Sequence, residues 1–173
     1  MTKYKIEIKS TIELEKSELN AILELKQQHW KYDYESQLQW FKKNIKKNDL
    51  HLLIYEQAEL IAYLNAVWID VEINSEQIKA LGIGNVCVAL CYRNIGFGQL
   101  LMATINSFLK SQNICGFLLC KDALVAFYEK SDWKVIVPQK VTIDQHPYTQ
   151  NVMGYHLGID FSKIEKLYFS CDF

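Results

Sequence analysis

The sequence predicts an α/β (α+β) protein with a single mixed, mostly antiparallel central sheet flanked by helices. Three observations carry this. A hairpin pattern comes first and a strand-helix-strand-helix-strand order follows, which is the signature of a mixed sheet. The chain is 50% hydrophobic over 173 residues, enough for one core and short for two. No repeat, low-complexity tract or Pro/Gly-rich linker divides it, so residues 1–173 read as a single domain.

Taken in order, Tyr4, Ile6 and Ile8 alternate with Lys5, Glu7 and Lys9, the period of a half-buried strand. From Ser17, read as an N-cap, Leu19, Ile22, Leu23 and Leu25 share a helix face as far as Gln28. Leu38, Phe41 and Ile45 repeat the helical spacing, and Lys42, Lys43, Lys46 and Lys47 form the solvated side of that second helix. Residues 50–55 and 60–73 read as a hairpin joined by Glu56, Gln57, Ala58 and Glu59, its second arm long enough to bend. Residues 77–90 contain the strand core Val86-Cys87-Val88 and run into Tyr92-Arg93-Asn94-Ile95-Gly96-Phe97-Gly98. A helix follows at once, with Leu101, Met102, Ile105, Phe108 and Leu109 as its apolar stripe and an end near Gln112. Residues 114–120 read as a strand, 123–130 as a short helix, 133–137 as a strand stopped by Pro138, and 152–157 as a closing strand.

Composition narrows the function. A formal net charge of -1 shows no global attraction to nucleic acid or anionic membrane, so the expected partner is a small molecule. No stretch is apolar enough to span a bilayer and the first residues lack a signal pattern, so a cytoplasmic location is expected. Five cysteines without an export signal are read as reduced, and no Cys-x-x-Cys or His-x-x-x-His spacing suggests a metal site. The oligomeric state is left between monomer and homodimer.

The segment from Arg93 to Gly98 carries the chemistry. A strand that turns directly into a helix converges several backbone N–H groups on one point, which favours an anion. Gly96 and Gly98 leave the backbone approachable, and Arg93, the one arginine among 19 basic residues, adds forked donors. A P-loop would end in Gly-Lys-Ser/Thr, but Gln99 and Leu100 follow Gly98; a dinucleotide fingerprint would need a glycine where Leu101 stands.

What remains, Arg-x-x-Gly-x-Gly preceded by Val-x-Val and Tyr92, resembles the signature of the GNAT superfamily of acyl-CoA-dependent N-acyltransferases, Gln/Arg-x-x-Gly-x-Gly/Ala. The later Ala126-Phe127-Tyr128-Glu129-Lys130-Ser131-Asp132-Trp133 is similar to that family's Phe-Tyr-x-x-x-Gly-Phe segment. The likeness covers residues 52–137 and departs at Leu90, where proline is frequent, and at Asn94 and Asp132, where glycine is. A closer likeness is to aminoglycoside 2'-N-acetyltransferases, in the Val-x-Val strand and the tail Cys171-Asp172-Phe173; Gly84 and Asn85 stand where those enzymes have a glutamate.

The resemblance implies a GNAT-like fold and an acetyl-CoA-dependent N-acetyltransferase acting on a primary amine of a small molecule, an aminoglycoside among the candidates. The alternative is a non-catalytic acyl-CoA-binding module. Acetyl-CoA would be a co-substrate, without metal, held by Val86, Cys87, Val88, Arg93, Asn94, Ile95, Gly96, Phe97 and Gly98. The Val88 N–H would stabilise the developing oxyanion, an effect typically worth about 3 kcal/mol. Tyr128 would serve the departing thiolate and Glu72 the amine's proton, with Asp70 and Glu35 as further base candidates. By itself the Phe127-Tyr128 pair also fits core aromatics of an amphipathic helix. Acceptor contacts are expected at Asp33, Glu35, Gly84, Asn85, Asp172 and Phe173.

Overall fold

The computed structural model describes residues 4–137, 140–156, 158 and 160–173. The proposed stop at Pro138 and the end of the closing strand at Leu157 lie outside the described residues. The fold is the mixed α/β arrangement expected, a mostly antiparallel sheet flanked, among the described residues, by four helices. By its contacts the chain forms two compact units, and the long strands β3 (Glu59–Ile73) and β4 (Glu76–Val88) contribute to both.

The first unit runs to Val67 and includes Gly84–Leu101. Its β1 (Tyr4–Ser10) pairs antiparallel with β2 (Leu50–Glu56), and β2 pairs antiparallel with β3. Two helices, α1 (Lys16–Gln27) and α2 (Tyr34–Asn44), belong to it. The α1 cap differs from expectation: Glu15, not Ser17, is the N-cap. Glu18 lies three residues on and its carboxylate reaches back to accept from the Glu15 N–H at 2.9 Å, a capping box that leaves Ser17 inside the first turn. Ile22 and Leu25 from α1 pack with Leu53, Leu60, Tyr63, Cys87 and Ala89 in a buried cluster.

The second unit comprises Trp68–Ile83 and Met102–Phe173. It holds most of α3 (Phe97–Gln112), then β5 (Cys115–Cys120), α4 (Asp122–Glu129), β6 (Lys134–Ile136), β7 (Lys140–Ile143), β8 (His146–Pro147), β9 (Asn151–Tyr155) and β10 (Lys166–Phe169). Strand order is β6-β9-β5-β4-β3-β10-β7-β8, with parallel pairing at β4–β5 and β7–β10. Trp133 is buried and its indole N–H donates to Asn106 Oδ1 at 2.8 Å, while the Asn106 amide donates to the Ser131 carbonyl at 2.7 Å. Gly116 lets that indole approach, since a Cβ there would sit 2.8 Å from Trp133 Cη2.

The sequence pattern predicts no strand after residue 157 and none between 138 and 151. The structure adds β7, β8 and β10. These are two to four residues long, too short for a period of two to stand out.

Candidate functional site

The β4–β5 ladder runs from Ala80 opposite Cys115 to Ile83 opposite Leu118 and no further. Two residues on, Asn85 has a φ of +52°, the left-handed region that breaks a strand's regular pleat. This kink comes immediately before Val86, Cys87 and Val88. Those three lie past the end of the β5 ladder, so among the described strands their main chain has one neighbour, β3. Cys87 is buried, and burial pushes its thiol up to about 12, which makes it a packing residue rather than a nucleophile.

Beyond β4 a 3-10 turn over Leu90–Tyr92 leads to the glycine turn. Gly96 has a φ of +104° with open space around a would-be Cβ, and Asn94 has a φ of +61°. Glycine is frequent at position 94 in the family pattern; asparagine tolerates the same left-handed backbone. The turn opens α3, where the Leu100 N–H donates to the Gly96 carbonyl at 2.9 Å. Arg93, Asn94, Ile95 and Gly96 are at least partly exposed while Phe97 is buried against Tyr4 and Tyr92, so the turn presents backbone to solvent on an anchored helix start.

Three contacts from elsewhere in this unit hold the turn. The Leu90 N–H donates to Gln28 Oε1 at 3.0 Å, the Tyr92 hydroxyl donates to Glu56, and Arg93 Nη2 donates to His29 Nδ1 at 2.7 Å. Burial first, then the Arg93 charge, holds His29 below the usual histidine pKa. With Nδ1 accepting from Arg93, the neutral ring carries its proton on Nε2. No lone pair is then left to take a proton from an amine.

A cavity of about 580 Å³ opens in the same unit, lined by Lys26, Trp30, Tyr32, Ser36, Gln37, Trp40 and Asn85. Of the expected acceptor residues, Asn85 lies in it and Gly84 precedes it on β4. The Asn85 amide donates to Asn65 Oδ1 at 2.8 Å. Asp33 is instead the N-cap of α2, accepting from the Ser36 N–H at 2.7 Å, and that bond holds its carboxyl below the usual range. Glu35 is exposed and accepts from Gln39 at 3.3 Å.

The second unit carries the other expected residues. Tyr128, on α4, is buried, and burial first, with Cys120 nearby, pushes its hydroxyl well above the ordinary tyrosine value. It is a neutral phenol throughout the working pH range. Asp132, where the family pattern usually has glycine, adopts a φ of +63°, so the turn geometry survives the departure. Glu72 is half-buried on β3 opposite Tyr168 of β10. Phe173 packs edge-on against Phe169 with centroids 5.4 Å apart and covers Gly82 of β4, where a Cβ would lie 2.3 Å from Phe173 Cγ. Asp172 is exposed, its carboxylate accepting from the Phe173 N–H at 2.9 Å.

Lys26, His29, Trp30, Gln37, Trp40 and Asn65 were not among the expected site residues. One signal was in the sequence: Lys26 stands four residues after Ile22 on the apolar face of α1, where a lysine is out of place.

A kinked strand with an open main chain thus leads through a glycine turn to a helix N-terminus. The chain matches the Acetyltransferase (GNAT) domain family over residues 10–136. It belongs to that family. Solved structures share the fold: an acyl-CoA N-acyltransferase from Pseudomonas aeruginosa, 19% identical, covers 88% of this chain and 99% of its own at a TM-score of 0.64. A GNAT family N-acetyltransferase from Escherichia coli in complex with CoA is 12% identical, covers 98% and 91%, and has a TM-score of 0.71. A Bacillus subtilis N-acetyltransferase in complex with coenzyme A is 17% identical, covers 90% and 99%, and has a TM-score of 0.59. Among curated proteins, none matches the chain.

Proposed function

We propose that the protein is an acetyl-CoA-dependent N-acetyltransferase that moves the acetyl group to a primary amine of a small molecule by direct attack. The observation that carries this is the kink at Asn85, which takes β4 out of its β5 ladder just before Val86, Cys87 and Val88. Acetyl-CoA supplies an activated thioester and amide groups that can pair like a strand. Val86 and Val88 offer the main chain for that pairing. The backbone of Asn94 to Gly98, with Arg93, is placed at a helix start and suits a pyrophosphate.

In the transfer the amine nitrogen forms a bond to the carbonyl carbon and the carbon–sulfur bond breaks. The Val88 N–H receives the negative charge that develops on the carbonyl oxygen. The amine's proton is taken up by Glu72, directly or through water. The thiolate leaves with a pKa of about 8.5. Because the Tyr128 hydroxyl is held above the ordinary tyrosine value, outright transfer of its proton to that thiolate is uphill. Tyr128 therefore acts as a hydrogen-bond donor to the sulfur.

A polycationic aminoglycoside would need several carboxylates around its ammonium groups. The cavity at Asn85 presents a lysine and, among its lining residues, no carboxylate. The charge there argues for a different amine. A non-catalytic CoA-binding module would have no use for a buried hydroxyl such as Tyr128.

Arg93→Glu tests the phosphate role. Acetyl-CoA affinity, measured by calorimetry, should fall by about tenfold, roughly 1.4 kcal/mol. An unchanged dissociation constant removes the pyrophosphate from the Gly96 turn.

A further inference from the structure

Lys26 is 6% exposed, yet it lines the cavity at Asn85 and, among the described residues, has no carboxylate within ion-pair distance. Its ammonium lies 4.5 Å from the Trp40 ring centroid and 6.0 Å from that of Trp30. Two indole faces are an incomplete replacement for water around a buried cation. The neighbouring Cys87 thiol is held neutral by burial and supplies no counter-charge.

One further polar group of the lining lacks a partner, and behind Asn85 so does Asn65. Gln37 is 3% exposed and lines the cavity; its amide N–H donates to the Tyr32 carbonyl at 3.3 Å, but its Oε1 is buried and unpaired. Asn65 is fully buried, with its Oδ1 taken by Asn85 and its Nδ2 unpaired. Buried polar atoms are normally satisfied, so a cation and an acceptor left open in the lining of one cavity point to a ligand that completes them.

We propose that this cavity is the acceptor site and that the acceptor is a small amine bearing a carboxylate, of the amino-acid class, with Lys26 receiving the carboxylate and an apolar body lying among Trp30, Tyr32 and Trp40. Gln37 Oε1 accepts from an N–H of the same molecule. The inference rests on the reading of this protein as an amine acyltransferase and names the substrate class for it. The cavity, at about 580 Å³, is of the size that small ligands occupy.

The test is a binding titration that needs no turnover. Phenylalanine and leucine, each against its own amide, are titrated into the protein by calorimetry, with tryptophan fluorescence as a second readout from Trp30 and Trp40. Each acid should bind at least tenfold more tightly than its amide, and Lys26→Met should bring the two within threefold. Circular dichroism verifies that the variant is folded, and the wild-type comparison stands without it. Failure of both acids to bind saturably, equal affinity of acid and amide, or a preference that survives Lys26→Met overturns the proposal. Thiol release from acetyl-CoA with a broad amine panel is a separate reading: release with uncharged or cationic amines but not with amino carboxylates would leave the acyltransferase standing and remove this substrate class.

Discussion

At the scale of single residues, the proposed chemistry turns on a phenol and on backbone positions that only certain side chains tolerate. Tyr128 is buried with its hydroxyl neutral, and the contribution proposed for it is a hydrogen bond to the leaving sulfur. Tyr128→Phe keeps the ring and removes that donor. Turnover should slow by roughly ten- to a hundredfold with acetyl-CoA affinity retained, in steady-state kinetics paired with calorimetry, because the interaction is lost in the transition state rather than in binding. A variant that loses its fold and shows no specific kinetic effect would assign Tyr128 to packing alone. The motif that singled out Tyr128 was legible because its residues are consecutive. Asn94 and Asp132, which depart from the family's glycines, became intelligible only with their φ values of +61° and +63°.

At the scale of elements, β4 does three jobs along its length. Its first part pairs with β5, its kink at Asn85 ends that pairing, and its last residues lead into the turn that starts α3. Within the first part lies Gly82, paired opposite Phe117 and covered by the Phe173 ring. Gly82→Ala should cost about 1–3 kcal/mol in urea unfolding, because the new methyl overlaps a packed aromatic. In a protein shortened by residues 171–173 the same substitution should cost little. Equal penalties in the two backgrounds would show that the ring and Gly82 are not coupled. The strands and helices at this scale were largely readable from periodicity: β2, β3, α3 and β5 lie within a residue or so of the expected positions. The cap of α1 was not, because a serine at residue 17 is the commoner capping residue and the Glu15–Glu18 box depends on a side chain reaching back.

At the scale of the whole molecule, stability depends on pH through a buried histidine. His51 is fully buried on β2, its ring nitrogens 2.8 Å from the Tyr63 hydroxyl and 2.9 Å from Thr11 Oγ1. Burial brings its pKa down to about 4 from an ordinary 6.5. The folded protein therefore binds fewer protons than the unfolded chain between these values, so stability rises with pH across that window and is lost as pH falls through it. The contribution is about 3 kcal/mol. Urea unfolding at several pH values should show this slope in the wild type and a flatter one in His51→Gln, the comparison that separates His51 from the carboxylates titrating nearby in pH. Identical slopes would rule out His51 as the source.

The fold and the glycine turn were legible because they are written in contiguous stretches of sequence. The cavity was not: Lys26, Gln37 and Asn85 come from α1, α2 and β4, and only folding makes neighbours of them. The short strands β7, β8 and β10 escaped because a few residues carry too little pattern.

That this GNAT-family protein transfers an acyl group from acetyl-CoA to an amine is tested most directly by following free thiol released from acetyl-CoA as small amines are added one at a time. The predicted result is release that depends on an added amine, saturates with it, and falls sharply in Tyr128→Phe. Saturable acetyl-CoA binding with no amine-dependent thiol from any member of the panel would contradict the transfer reaction and leave a CoA-binding module.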